Sequence, residues 1–123
     1  MAKGIDKRLD IAWSKAVKIR DGFECRYCRK QTTLNSHHIF TRQNRTTRWD
    51  INNGITLCVA HHTFSSKFSA HKTGIEFTYW LEEKMGKNWL NKLRLKANQT
   101  AKFNQADKEL ILKGLLIYIK ENQ

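Results

Sequence analysis

The sequence predicts an α+β fold in which helices flank a short-stranded central region that is held by a metal ion. Apolar residues recur at helical spacing near both ends of the chain, whereas residues 23–57 lose that period. Cysteine and histidine residues at zinc-ligand spacing bracket this central region. A length of 123 residues indicates one domain, made of an N-terminal helix (1–21), a metal-binding core (22–72) and a C-terminal helical extension (73–123).

The N-terminal half carries signals for one helix and two strands. A helix is predicted over residues 6–21, where apolar residues lie four apart, and Gly22 is its expected stop. A first strand is expected at 34–40. The turn signal at residues 52–54, Asn-Asn-Gly, precedes a second strand at 55–57, so a long basic loop joins the two strands.

Helical segments are expected in four places after the strands. They are 59–70, 74–85, a short helix around 89–97 and a last helix that begins at Asn104. Thr73 followed by Glu76 is a capping box for the second of these helices, and Gly86 is its expected end. The last helix carries an apolar stripe that indicates core packing or a partner-facing surface: Leu110, Ile111, Leu115, Tyr118 and Ile119.

The charge of the chain indicates an anionic partner. Lysine and arginine number 23 against 11 acidic residues, for a formal net charge of +12. Such an excess favours nucleic acid before a membrane surface. Between Cys25 and Trp49 there is no acidic residue and there are six basic ones: Arg26, Arg29, Lys30, Arg42, Arg45 and Arg48. A solvated basic face is the alternative explanation, but arginine binds phosphate at two points and so favours nucleic acid.

Composition also bears on the compartment. The chain has no run of 18 apolar residues and its first residues lack the apolar segment of a signal peptide, so we expect neither a membrane span nor secretion. Its three cysteines form an odd count that does not close as a disulfide framework. Metal ligation in a reducing cytoplasm is therefore the expected use of these cysteines.

Two half-sites predict a structural zinc ion. Cys25 and Cys28 form a C-x2-C pair, and Cys58 with His61 repeats the spacing, which lets a tight turn bring both ligands to one point. His62, at x3 spacing, is an allowed alternative to His61. The central region has few large aliphatic residues, and a structural zinc stabilises small modules of this kind by about 10–16 kcal/mol. Ordinary buried cysteines are the competing explanation, which the second half-site makes weaker.

Four of the five histidines form two adjacent pairs, His37-His38 and His61-His62. If His61 binds zinc, His62 points about 100° away on a helix and towards the first strand. Neighbours on a regular strand face opposite sides, so His37 and His38 share one site only where the strand ends or bulges. We expect these three free histidines to form a second centre, with isolated structural histidines as the alternative. His71 is expected to be a surface or packing residue.

The order of these motifs, C-x2-C, H-H-I, N-G-I-T-L-C and x2-H-H, resembles the HNH endonucleases, the zinc-containing branch of the ββα-metal nucleases. The stretch HHIFTRQNRTTRWDINNGITLC is most similar to small stand-alone HNH proteins of bacteriophages and prophages. This similarity implies a bacterial host cytoplasm. The resemblance covers about residues 20–72, and the outer helices carry none of it.

The resemblance implies a role for each matching residue. His38 corresponds to the general base, Asn53 to the central asparagine, and His37 and His62 to ligands of a catalytic divalent ion. Asn53 would pin the loop and orient His38 through a side-chain to main-chain hydrogen bond, although asparagine before glycine is also a common turn. His37 replaces the commoner carboxylate, which favours Mn²⁺ or a softer ion over Mg²⁺. His61 replaces the usual fourth thiolate.

We therefore expect a metal-dependent DNA endonuclease that nicks or cuts both strands with little sequence specificity. Arg42, Arg45 and Arg48 lie on the loop between the strands and would bind backbone phosphates. A non-catalytic zinc-dependent nucleic-acid-binding module is the alternative, which explains the charge and the cysteines but not the three histidines together. The helices from residue 87 onward are expected to pack on the core, to dimerise or to dock to a phage protein partner.

Overall fold

A computed structural model describes residues 2–123 and shows helices packed around a two-stranded sheet. The predicted α+β class is confirmed. The chain begins with helix α1 (Ala2–Arg20) and continues through strand β1 (Leu34–His38), strand β2 (Gly54–Cys58) and helices α2 (Gly74–Met85), α3 (Lys87–Ala97) and α4 (Gln105–Asn122). Two short helical turns, Ile51–Asn53 and Ala60–Phe64, flank β2.

Helix α1 starts earlier than the predicted 6–21 and ends where Gly22 was expected to stop it. Gly22 has a φ of 71°, and its N–H donates to the carbonyl of Ile19 at 3.1 Å. The N–H of Phe23 donates to the carbonyl of Lys18 at 2.9 Å. These two bonds form a Schellman motif, for which glycine is favoured because it adopts positive φ without a Cβ clash.

Helix α1 and helix α4 build the first hydrophobic core. Leu9, Trp13 and Val17 of α1 are buried together with Leu115 and Ile119 of α4. The long loop between the strands adds a buried tryptophan, Trp49. Of the alternatives left open for the C-terminal helices, packing on the core is therefore what α4 does. No helix in residues 2–123 is both long and apolar enough to cross a membrane.

The strands pair antiparallel, with Leu34 opposite Cys58 and His38 opposite Gly54. Strand β1 ends at His38, two residues before the predicted 34–40. Helix α1 lies directly on the sheet at Gly54, where an added Cβ would come within 2.6 Å of Val17 Cγ2. Glycine is required there because helix and strand leave no room for a side chain.

A second core lies on the zinc-ligand side of the sheet. Ile55 and Leu57 of β2 are buried with Phe77 and Leu81 of α2. The same cluster includes two cysteines, Cys25 and Cys58. Strand β2 is therefore covered on both faces, which explains why all five of its residues are buried.

The helix predicted over 59–70 is wrong beyond its first turn. Only Ala60–Phe64 is helical, as a single π-helical turn that the N–H of Ser65 closes on the carbonyl of Ala60 at 2.8 Å. The following residues fold back irregularly. Thr73 does not cap α2 as predicted, because its hydroxyl donates to the carbonyl of Ser69 at 2.9 Å. The bounds of α2 and its end at Gly86 are as predicted.

The last two helices match their predictions except in which face of α4 is buried. Helix α3 covers the expected residues, and Asn104 caps α4 through a reciprocal capping box with Asp107. The N–H of Asp107 donates to Asn104 Oδ1 at 2.8 Å. Leu110 of the predicted stripe is exposed, and Leu112 is buried instead. Helix α4 carries more apolar residues than one face requires, so spacing alone does not select the buried stripe.

Candidate metal centres and cleft

The first candidate metal centre is a group that we call the Cys3His cluster, made of Cys25, Cys28, Cys58 and His61. One ligand atom from each lies within 4.8 Å of the others. Sγ of Cys28 is 3.7 Å from Sγ of Cys58, which is 3.3 Å from Nδ1 of His61. Tetrahedral zinc, with bonds of about 2.3 Å to sulfur and about 2.0 Å to nitrogen, separates its ligands by about 3.5–3.8 Å. The cluster can therefore hold a metal ion such as zinc.

Local backbone turns present these ligands. The N–H of Cys25 donates to the carbonyl of Lys30, and the N–H of Arg29 donates back to the carbonyl of Cys25, both at 2.8 Å. Arg29 takes a positive φ of 67° to close this turn. The π-helical turn supplies His61, and Tyr27 packs against the His61 ring with centroids 4.7 Å apart.

The thiols of the cluster titrate unequally. Burial and the neighbouring thiols of Cys25 and Cys58 together raise the pKa of Cys28 to about 11, although the N–H of Lys30 acts in the opposite direction. Burial also raises the pKa of Cys25, but backbone N–H groups of Cys28 and Cys58 outweigh it, so that pKa lies below its usual value. Adjacent thiolates repel one another, and a bound cation would remove that repulsion.

The second candidate metal centre is the histidine trio, made of His37, His62 and His71. One ring nitrogen from each lies within 4.8 Å of the others. Nε2 of His62 is 3.1 Å from Nε2 of His71. The His37 ring centroid is 5.1 Å from that of His62 and 5.6 Å from that of His71. The trio is therefore close enough to share one ion.

Two members of the trio, His37 and His62, are kept in the form that binds metals. Burial, together with positive charge on His62, His71 and His38, lowers the pKa of His37 to about 3. Burial, and after it the electrostatic effect of His71, also lowers the pKa of His62. Neutral imidazole is the ligating form, so these groups fit a divalent ion of the borderline class. Nδ1 of His62 is buried without a hydrogen-bond partner in residues 2–123, which leaves Nε2 as the nitrogen that faces the trio.

His71 is the residue that sequence reasoning missed. Its backbone N–H donates to the carbonyl of His62 at 3.1 Å, and the N–H of Ala70 donates to the carbonyl of His61 at 2.8 Å. These bonds fold the irregular segment after the π-helical turn back onto that turn. Neither a helical nor a strand period relates His62 to His71, so the unused fifth histidine was the only available signal.

His38 is not a member of the trio and is held in one orientation. Its ring stacks on Trp13 with centroids 3.7 Å apart and an interplanar angle of 9°. Its Nε2 lies 3.0 Å from the carbonyl oxygen of Arg48. A carbonyl only accepts, so Nε2 carries the proton and the neutral ring presents an unprotonated Nδ1. Burial lowers the pKa of His38, although the Arg48 carbonyl and Asp10 act in the opposite direction.

One cleft connects the trio with His38. It has a volume of about 340 Å³. It is lined by Ser36, His37, His38, Thr41, Arg42, His62 and His71. Adjacent strand residues reach the same cleft because β1 ends at His38. The structure therefore brings His37 and His62 together with His71, and places His38 on the wall of the same cleft.

Asn53 pins the chain immediately after the first histidine pair. Its side chain is fully buried, and its Nδ2 donates to the carbonyl of Phe40 at 2.9 Å. The N–H of Phe40 donates to Asn53 Oδ1 at 2.7 Å. This two-point contact holds the loop, as expected of Asn53, while the ring of His38 donates its own hydrogen bond to the carbonyl of Arg48.

The three arginines expected to bind phosphate are not equivalent. Arg48 donates to both carboxylate oxygens of Asp10, through Nε at 3.0 Å and Nη2 at 2.7 Å. Arg42 approaches the same carboxylate at 3.3 Å but is 64% exposed, and Arg45 is exposed. The guanidinium of Arg48 is engaged within the protein by Asp10, so the phosphate contact predicted for it stays a prediction that competes with this ion pair. Arg42 and Arg45 remain candidates.

Comparison with known proteins identifies no family for this chain. No family model, curated protein or solved structure was found to match the chain. Function is therefore inferred from the residues themselves.

Proposed function

We propose that the protein is a metal-dependent endonuclease of the HNH type that hydrolyses phosphodiester bonds in DNA. The observation that carries the proposal is the single cleft shared by the histidine trio and by His38. Hydrolysis of a phosphodiester needs a cation site and a neutral base side by side. A protein that only bound nucleic acid would need neither.

The two centres divide their tasks. The Cys3His cluster would hold zinc and join three segments into one unit: the turn that carries Cys25 and Cys28, strand β2 and the π-helical turn. A divalent ion at the trio would neutralise charge on the scissile phosphate and stabilise the leaving oxygen. His37, His62 and His71 would bind it through unprotonated nitrogens, and burial favours the unprotonated form of His37 and His62 by lowering the pKa of each. Mn²⁺ and softer divalent ions suit three imidazoles better than Mg²⁺ does.

His38 is the general base in this proposal. Its Nδ1 takes a proton from the water that attacks phosphorus, and its lowered pKa keeps the ring neutral at physiological pH. The stacked Trp13 ring and the carbonyl of Arg48 hold the imidazole so that Nδ1 keeps its direction. Orientation of this kind removes rotational freedom before the reaction starts.

DNA is the substrate class that the charge supports. Arg42 lines the cleft and Arg45 is exposed on the same loop, so both can contact phosphates beside the scissile one. The net charge of +12 adds long-range attraction for a polyanion. Attraction of this kind is independent of sequence, which agrees with low intrinsic specificity.

Cleavage of supercoiled plasmid tests the proposal. Purified protein is incubated with plasmid across Mg²⁺, Mn²⁺, Ni²⁺ and Zn²⁺, and nicked and linear products are separated on a gel. The His38→Ala variant is expected to lose cleavage by about 10²–10⁴-fold and to keep DNA binding, because only the proton acceptor is removed. Lys72→Ala, which changes an exposed residue beside His71, is the matched control.

Two results would contradict the proposal. Divalent-dependent cleavage that persists undiminished in His38→Ala would exclude His38 as the base. Absence of cleavage by the intact protein with every ion, together with tight DNA binding, would support the non-catalytic zinc-dependent binding module instead.

A further inference from the structure

Helix α4 is apolar on more than the face that it packs against α1. Leu112, Leu115 and Ile119 are buried in the first core. Leu116 and Ile117 nevertheless remain 48% and 47% exposed on another side of the same helix. A surface helix ordinarily carries one apolar stripe, which faces its own core. The second apolar face of α4 therefore lacks a cover within the described chain.

This face forms one wall of a groove between α1 and α4, the α1–α4 groove. Ile11, which is 60% exposed, contributes from α1. Two adjoining cavities of about 460 and 270 Å³ share Leu112 and Leu116 as their apolar lining. Charged side chains also line the groove, four of them basic and one acidic: Arg8, Lys15, Lys113, Lys120 and Glu109.

We propose that the α1–α4 groove binds an acidic amphipathic helix of another protein. Its apolar residues would cover Ile11, Leu116 and Ile117, and its acidic residues would pair with the basic groups of the rim. DNA does not fit this groove as well, because phosphates gain nothing from an aliphatic floor. The inference goes beyond the proposed nuclease activity and does not depend on it.

A second copy of this chain is the less favourable occupant. Two identical grooves placed face to face would bring like charges together. Helix α2 does expose an apolar and acidic side, with Ile75, Tyr79 and Glu83. Contacts between that side and the groove would join different surfaces and propagate into open chains of copies unless the rotation closed a ring.

The test uses a fluorescent helical peptide of about 18 residues, five turns long, with leucines at i, i+3, i+4 and i+7 and glutamates on the flanks. A second peptide has the same composition with the leucines distributed around the helix. Binding to the full-length protein is measured by fluorescence anisotropy at physiological salt. We expect the amphipathic peptide to bind about tenfold more tightly or better, because only its leucines reach the groove together.

Variants locate the binding. Leu116→Glu should weaken amphipathic peptide binding by about tenfold or more, since it places a carboxylate in the apolar floor. Ile117→Glu, at a residue 47% exposed on the same wall of the groove, should weaken binding in the same way. Leu95→Glu on α3, at a residue 68% exposed and outside the groove, should leave binding unchanged. Circular dichroism of each variant that matches that of the parent protein excludes misfolding as the cause.

Each of four outcomes would overturn the inference. Equal binding of the two peptides would indicate charge attraction alone. Unchanged binding by Leu116→Glu would place the peptide elsewhere. Sedimentation that shows self-assembly dissolved by Leu116→Glu but not by Leu95→Glu would make a second copy the occupant. A comparable loss of DNA affinity in Leu116→Glu would assign the groove to DNA. None of these readouts requires cleavage, so failure here is distinct from failure of the nuclease proposal.

Discussion

Each histidine pair separates its two members by the local geometry of its own backbone. On β1, alternation sends His37 towards the trio and His38 towards Trp13. On the π-helical turn, the change of direction between neighbours sends His61 to the Cys3His cluster and His62 to the trio. The second pair therefore contributes to two candidate metal centres, whereas the first pair places a candidate ligand and the proposed base on one cleft.

At the residue scale, His71→Ala is expected to weaken the binding of Mn²⁺ at the trio by at least about tenfold. It removes one of three nitrogens, and even partners outside the ligand shell cost about 10–100-fold when lost. Folding should be retained because His71 is exposed. Isothermal titration of zinc-loaded protein with Mn²⁺ measures the change, and Lys72→Ala serves as the control. An unchanged affinity would remove His71 from the site.

At the scale of elements, α1 does more than close the first core. Trp13 supplies the ring on which His38 stacks, and its Nε1 donates to the carbonyl of Asp50 at 2.8 Å. Asp10 accepts bonds from Arg48, whose carbonyl in turn holds His38. The N-terminal helix therefore connects the proposed base to the rest of the fold through two routes.

Substitution of Asp10 should change the rate of DNA cleavage and the affinity for DNA in opposite directions. Asp10→Asn releases the guanidiniums of Arg48 and Arg42, so we expect tighter DNA binding together with a lower kcat because His38 loses its anchor. Anisotropy measures the first quantity and plasmid cleavage the second. Asp6→Asn is the matched control, since Asp6 lies on the same helix and pairs with Lys108 of α4. A fall in both quantities would instead indicate general destabilisation.

At the scale of the whole molecule, the sheet lies between two cores of different character. The first joins α1 and α4 and consists of ordinary apolar packing. The second is smaller and includes two ligands of the Cys3His cluster, Cys25 and Cys58. The segment between α1 and β1 and most of the loop between the strands have no helix or strand. A metal ion is therefore expected to stabilise the central region far more than the helical pair.

Removal of zinc should unfold the central region selectively. Treatment with a strong chelator is expected to lower the melting temperature and to reduce near-ultraviolet dichroism, while much of the helical signal of α1 and α4 persists. Circular dichroism before and after chelation, and again after zinc is restored, measures the effect. Identical melting curves for the loaded and the metal-free protein would contradict a structural role for the cluster.

The salt dependence of DNA binding tests which of the three arginines contact phosphate. Neutralising Arg42 and Arg45 together should flatten the slope of log affinity against log salt by about two units, at about 0.9 for each lost phosphate contact. Neutralising Arg48 should change the slope little, because Asp10 already holds its guanidinium. Titrations at several salt concentrations provide the slopes. If neutralising Arg48 flattened the slope as much as neutralising Arg42 or Arg45 does, Arg48 would also be a phosphate ligand.

Features encoded by local spacing were predictable from the sequence. The pairs C-x2-C and C-x2-H brought together all four members of the Cys3His cluster, and Gly22, Gly86 and Asn104 mark helix ends where the sequence placed them. Such signals depend on a few neighbouring residues, so the backbone that they specify is nearly independent of the rest of the chain. The α+β class followed from the same local patterns.

Contacts between distant segments were decided only by the tertiary structure. His71 joins the trio because an irregular loop folds back. Arg48 is paired with Asp10 of the distant helix α1, and His38 presents Nδ1 because a carbonyl from the long loop holds Nε2. Each depends on two segments that meet only after the cores have formed. Contacts between distant segments leave no periodic pattern in the sequence. The sequence by itself therefore determined the pairs of cysteine and histidine ligands, and the tertiary structure determined the cleft.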